Sequence, residues 1–159
     1  MKTRIFMTIL ALIMAIGHAS AKSDDLQYDI QAAGSGQQGT YLVKVFVYSK
    51  SKKVTDAEIK KAAIHGVIFR GVPGANGAPS QRPMAASPSV EKEQAEYFKL
   101  FFDDSKGIYD RFANIVPGSY ERIKAPKGYK VGATIQVMKD LLRQELERGG
   151  AIKGLNSGF

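Results

Sequence analysis

The chain predicts a single α+β domain whose mainly antiparallel sheet is built from two β-β-α-β-like halves, with helices packed on one face. Three observations lead there. Residues 41–48 alternate apolar and polar as a strand does, and residues 55–58 spell a helix start. The order strand, helix, glycine, short apolar run then occurs twice, at 41–70 and at 129–153, with Gly66-Val67-Ile68 matching Gly150-Ala151-Ile152.

Taken in order, the chain opens with Lys2 and Arg4, an apolar run from Ile5 to Ile16, and the small residues of Ala19-Ser20-Ala21. That is the pattern of a secretory signal peptide at 1–21, cleaved before Lys22. The run is shorter than the roughly 20 apolar residues a membrane-spanning helix needs. Of 159 residues, 138 remain at 22–159, enough for one domain with its own core. Leu26 to Ala33 alternates and reads as a strand, followed by a flexible turn at Gly34 to Gly39. In the clearest strand, Tyr41, Val43, Val45 and Val47 make a core face, and Leu42, Lys44, Phe46 and Tyr48 an amphipathic one.

Thr55-Asp56-Ala57-Glu58 is a capping box: the Thr55 hydroxyl and the Glu58 carboxylate each take a free backbone N–H of the first turn. Ile59, Ala62 and Ala63 give this helix its apolar side, Gly66 is the expected end, and Val67-Ile68-Phe69 reads as a strand. Residues 71–89 hold four of the six prolines and three glycines, which predicts a long mobile loop. Helical spacing resumes from Glu91 to Phe102, where Tyr97, Phe98, Phe101 and Phe102 cluster to fill core. A short helical stretch at 108–114 stops before Pro117. A hairpin of 119–124 with 129–137 turns at Pro126-Lys127-Gly128. The final helix spans Lys139 to Arg148, and Ala151-Ile152-Lys153 is expected to form a last strand.

Composition excludes several chemistries. The chain has no cysteine, so disulfides, thiol nucleophiles and thiolate metal sites are out. His65 is the one histidine beyond the signal, too few for a multi-histidine metal centre, and a helix-end cation is its simplest role. No Gly-x-Ser-x-Gly elbow and no Gly-Lys-Ser/Thr phosphate loop occurs. Asp103, Asp104 and Asp110 lack EF-hand spacing, and the pairs Glu91/Glu93 and Glu145/Glu147 sit among basic residues as charged helix faces. No catalytic, cofactor-binding or metal-ligating residue is therefore expected. Gly158-Phe159 resembles the end of an outer-membrane barrel protein, but the preceding residues lack a barrel strand's alternation; a docked tail or terminal recognition peptide fits better.

What remains is surface. Losing Lys2 and Arg4 from a net charge of +8 leaves +6, an excess that favours anionic partners or simply keeps a small domain soluble. The candidate binding residues are Lys44, Phe46, Tyr48 and Lys50 on one strand, where rings could stack on sugars and ammoniums pair with acids, and Gln81 and Arg82 on the proline-rich loop. The alternative is a sheet face covered by another element. The basic residues look scattered, and export would remove the chain from nucleic acid. No later segment is apolar for long enough to span a bilayer.

Two resemblances follow from these residues. The exported start, the run Ala-Ala-Ile-His-Gly-Val-Ile-Phe-Arg-Gly at 62–71 and the ending Leu-Asn-Ser-Gly-Phe at 155–159 resemble uncharacterised secreted proteins of Bacteroidetes. That resemblance implies an envelope location and no known activity. The strand-helix-strand layout of 41–69, repeated at 129–153, is similar to SPOR domains, which bind peptidoglycan in the periplasm. SPOR repeats follow closely, whereas about 60 residues separate Phe69 from Tyr129 here, and no SPOR binding residue maps onto this chain. The expectation is an exported, periplasmic or secreted, non-enzymatic module that binds an envelope component such as peptidoglycan, or assists assembly of an envelope complex with a protein partner. The alternative is a cofactor-free hydrolase of an envelope polymer, whose carboxylates and His65 would meet only in the fold.

Overall fold

The computed structural model describes residues 26–34 and 36–154; the expected signal segment and the Gly158-Phe159 ending lie outside the described residues. Five strands form one antiparallel sheet: β1 (Tyr28–Gly34), β2 (Tyr41–Ser49), β3 (Ala113–Ile115), β4 (Glu121–Ala125) and β5 (Gly128–Val137). β2 and β5 are the centre, paired from Tyr41↔Val137 to Ser49↔Tyr129. β1 flanks β2, and β3 and β4 lie end to end along the other side of β5. The α+β class and the antiparallel sheet are as the alternation predicts.

Each half contributes a hairpin and then a helix: β1-β2 with α1 (Asp56–His65), and β4-β5 with α4 (Lys139–Arg148). Val43, Val45 and Val47 face inward with Ala133, Ile135 and Val137 and meet Ile59, Ala62, Ala63 and Ile64 of α1 and Leu142 and Leu146 of α4 in one core. Alanines at the α1 contact let helix and sheet approach closely. The aromatic cluster is core as predicted, with Phe98 and Phe101 of α3 (Ala95–Phe101) buried beside Tyr109 and Phe112. A short α2 (Val90–Glu93) precedes it.

Thr55 caps α1 as read: its hydroxyl accepts from the Glu58 N–H and its own N–H donates to the Glu58 carboxylate at 2.7 Å. Gly66 does not end the helix. It keeps helical angles and donates to both Ala62 O and Ala63 O, and Gly66–Arg70 continues as a π-helical turn. Val67, Ile68 and Phe69 are therefore helical and buried rather than a strand. A run of three apolar residues fits either winding, and here one further wide turn buries all three. Ala151-Ile152-Lys153 likewise forms no strand; the Ala151 and Ile152 N–H groups both cap Leu146 O at the end of α4. The stretch 108–114 splits into a 3₁₀ turn (Tyr109–Phe112) and β3.

The proline-rich stretch is a loop, as expected, and backbone hydrogen bonds dock it on the domain as an arm. Val72 and Gln81 exchange backbone hydrogen bonds around an Ala75–Ala78 turn whose centre, Asn76-Gly77, has positive φ at both residues. Pro73 O accepts the outward N–H of Ala32, which covers part of the β1 edge. The Met84 and Ala85 N–H groups take Val67 O and Ile68 O, carbonyls the π turn leaves open, and both residues are buried.

Candidate functional site

Lys44, Phe46 and Tyr48 point away from the helices, and no described element covers that sheet face. The face is nonetheless closed on itself electrostatically. Lys44 Nζ reaches across β5 to Glu121 at 2.6 Å and lies over the Phe46 ring. It can cross because the intervening β5 residue is Gly132, where a Cβ would collide with Val45 O and the Phe46 ring. The Tyr48 hydroxyl donates to Asp29 at 2.7 Å, and Lys130 Nζ pairs with the same carboxylate at 2.8 Å while sitting over the Tyr48 ring. Lys130, aided first by Asp29 and then by Tyr48, has its pKa pushed up to about 12, and the Lys130 and Tyr48 contacts hold Asp29 below the usual carboxylate range.

The end of the sheet is different. Ser49 opposes Tyr129, and a Cβ added at Gly128 would strike Ser49 O and Lys50 Cα, so the turn leaving β2 and the β4–β5 turn lie side by side. This places Lys50, Lys52 and Lys53 of one turn near Lys127 of the other and Lys124 at the adjoining end of β4. None of these five has an acidic partner among the described residues, whereas Lys44, Lys60, Lys61, Lys130 and Lys139 do. An open groove of about 1160 Å³ runs from the sheet end to the start of α1. Leu26, Val47 and Pro126 give it an apolar floor, Tyr48 and Tyr129 aromatic walls, and Lys50 and Lys127 line it directly. Lys52 Nζ lies over the Tyr129 ring.

The groove's two acids are already engaged. Glu58 is held in the capping box. Asp104 accepts from Lys61 at 2.8 Å and from the Tyr109 hydroxyl at 2.5 Å. Those contacts, Lys61 first, hold the Asp104 carboxyl below its usual range, while burial and then Asp104 push the Tyr109 hydroxyl up. The unneutralised charge at this end is cationic.

Of the residues read from the sequence, Tyr48 and Lys50 belong to the groove, and Lys44 and Phe46 lie farther up the open face. Gln81 and Arg82 are not with them. Gln81 is fixed to Val72 and lines a separate hollow of about 180 Å³ beside Thr40 to Val43, at the opposite end of the β1–β2 hairpin. Sequence reasoning missed Lys52, Lys53, Lys124, Lys127 and Tyr129. The Lys-Ser-Lys-Lys run at 50–53 was a local signal, but only the Ser49↔Tyr129 register joins it to Lys127.

His65 is not simply a solvated helix end. Its Nδ1 meets the Tyr28 hydroxyl at 2.6 Å and its Nε2 meets Glu91 at 3.2 Å, with the Phe69 ring packed at 4.9 Å between centroids. With Nε2–H donating to the carboxylate, Nδ1 accepts from Tyr28. Desolvation pushes the Tyr28 hydroxyl up, which keeps it a neutral donor, and Arg70 lies over its ring at 4.2 Å. Neither the groove nor the smaller hollow is lined by His65, Tyr28 or Glu91. The trio ties β1, the α1 end and α2 together.

Among the described residues no helix is long and apolar enough to cross a membrane. No family model, no curated protein and no solved structure matches the chain.

Proposed function

We propose that this protein is an exported, non-enzymatic module that binds an anionic component of the cell envelope at the basic end of its sheet. The observation that carries the reading is a groove lined by Tyr48, Tyr129, Lys50 and Lys127, the two lysines without an acidic partner among the described residues, with Lys52 over the Tyr129 ring. Burying or crowding like charges costs stability unless something offsets it, so an uncompensated cluster beside a concave surface is where an anion gains most. The signal-like start supports export. The sheet face adds little, because its ammoniums already hold Glu121 and Asp29.

The hydrolase alternative has one observation behind it, the meeting of His65 with Glu91. The trio lines neither the groove nor the hollow, and the Tyr28 partner of His65 is a buried, poorly acidic hydroxyl. The test is co-sedimentation with purified peptidoglycan over a salt series. Binding that persists at high salt and falls in Lys50→Gln/Lys127→Gln supports the reading. Absence of binding at any salt, or binding indifferent to that variant, refutes it.

A further inference from the structure

We propose that the groove takes a carboxylated sugar chain, several pyranose rings long, with its rings on the tyrosines and its carboxylates on Lys50, Lys52 and Lys127. This rests on the anion-binding reading above and adds the class of ligand. Size is the first argument. At about 1160 Å³ the groove exceeds the roughly 300–1,000 Å³ typical of sites for one small molecule, and it is open rather than enclosed. Its walls point the same way. Tyr48 shares a sheet face with Lys130 and is opposed to it in register, while Tyr129 is opposed to Ser49 and lies on the other face. The groove therefore crosses the end of the two central strands, and a ligand that reaches both rings runs across that end.

One ring carries an uncommitted ammonium, Lys52 over Tyr129, while the Lys130 ammonium over Tyr48 is held by Asp29. Two aromatic planes, with Lys50, Lys52 and Lys127 beside them, match a polymer that offers an apolar ring face and a carboxylate in its units. The cations that line the groove are lysines, with no arginine among its lining residues. Lysine is a point charge on a flexible stem, suited to carboxylates spaced along a chain. A single phosphoryl group held in fixed geometry would favour the planar fork of arginine. The two groove acids are tied to Thr55, Lys61 and Tyr109, so they do not compete with an incoming carboxylate for Lys50 or Lys127.

The experiment is calorimetric titration of the protein with three probes: hexameric oligogalacturonate, neutral maltohexaose, and poly-L-glutamate. The expected result is binding of oligogalacturonate well above the other two, weakened roughly tenfold by Lys50→Gln/Lys127→Gln and a few-fold by Tyr48→Leu. Lys99→Gln, on the exposed side of α3 and away from the groove, serves as the control. Equal binding of poly-L-glutamate overturns the sugar assignment and leaves the anion-binding reading standing. So does failure of oligogalacturonate in a protein that still sediments with peptidoglycan. Tighter binding to phosphatidylglycerol vesicles, measured in a parallel flotation assay, than to the sugar chain overturns it as well. Failure with every probe, peptidoglycan included, removes both.

Discussion

Replacing His65 by alanine separates a structural role from a catalytic one, and its cost can be worked from the contacts. The Tyr28 hydroxyl, in a residue only 5% exposed, loses the acceptor it meets at 2.6 Å. Leaving a buried donor unsatisfied costs about 1–3 kcal/mol. The Glu91 contact joins side chains 24% and 45% exposed, so its loss adds less than about 1 kcal/mol. Ring packing on Phe69 and Phe102 adds about 1 kcal/mol more. Together these give about 2–5 kcal/mol, a fall in Tm on the order of 10 °C for a domain of this size. Urea unfolding of His65→Ala, Tyr28→Phe and the double variant measures it. Tyr28→Phe removes the stranded donor, so the double variant should be more stable than the sum of the singles predicts, by about 1–2 kcal/mol. Strict additivity, or a His65→Ala cost under about 0.5 kcal/mol, would refute the Tyr28–His65 bond as a strut.

Three further outcomes follow from the fold. Met84, 8% exposed and anchoring the arm over the π turn, should cost about 2–4 kcal/mol on truncation to alanine, and limited proteolysis should then cut within 71–89. Gly77 sits at φ +79° with nothing within 4 Å of the place a Cβ would take, so Gly77→Ala should cost only its backbone strain, about 1 kcal/mol by urea unfolding. In acid, Asp29 and Asp104 lie below their ordinary value of 3.8, so their contribution is complete above about pH 4 and disappears as pH falls through the lower folded values. Both are half-exposed, so each is worth roughly a few tenths of a kcal/mol, and Asp104→Asn should flatten the acid limb of stability against pH.

Much of the fold was legible because it is written locally. The Tyr41–Tyr48 alternation, the Thr55–Glu58 cap and the Leu142/Leu146 spacing of the last helix each need only a few neighbouring residues. The misread elements depend on partners far along the chain. Val67-Ile68-Phe69 stays helical because Met84 and Ala85 supply donors for the carbonyls of the widened turn. β3 is three residues long and exists only because β5 extends past β4. The arm did carry a local sign, Asn76-Gly77, a strong signal for a two-residue hairpin turn, but the surrounding prolines read as disorder. The site follows the same division. Tyr48 and Lys50 stand on a strand visible in the sequence, while Lys127 is separated from Lys50 by most of the molecule's helices and joins it through one register.

That register also explains why two sets of lysines on one small protein should behave differently. Lys44 and Lys130 are bound to Glu121 and Asp29, so an incoming anion would have to displace a carboxylate already in place. Lys50, Lys52 and Lys127 have no such competitor among the described residues. Lys44→Gln frees Glu121 and opens the contact that spans β2, β5 and β4; it should lower stability slightly and leave binding of an anionic polymer nearly unchanged. Lys50→Gln should do the reverse, leaving the urea midpoint within error and weakening binding a few-fold, with less loss as salt rises. Measuring both quantities on both variants tests the division directly. If Lys44→Gln weakened binding as much as Lys50→Gln, the open face would belong to the site, and the ion pairs across it would be a resting arrangement that the ligand replaces.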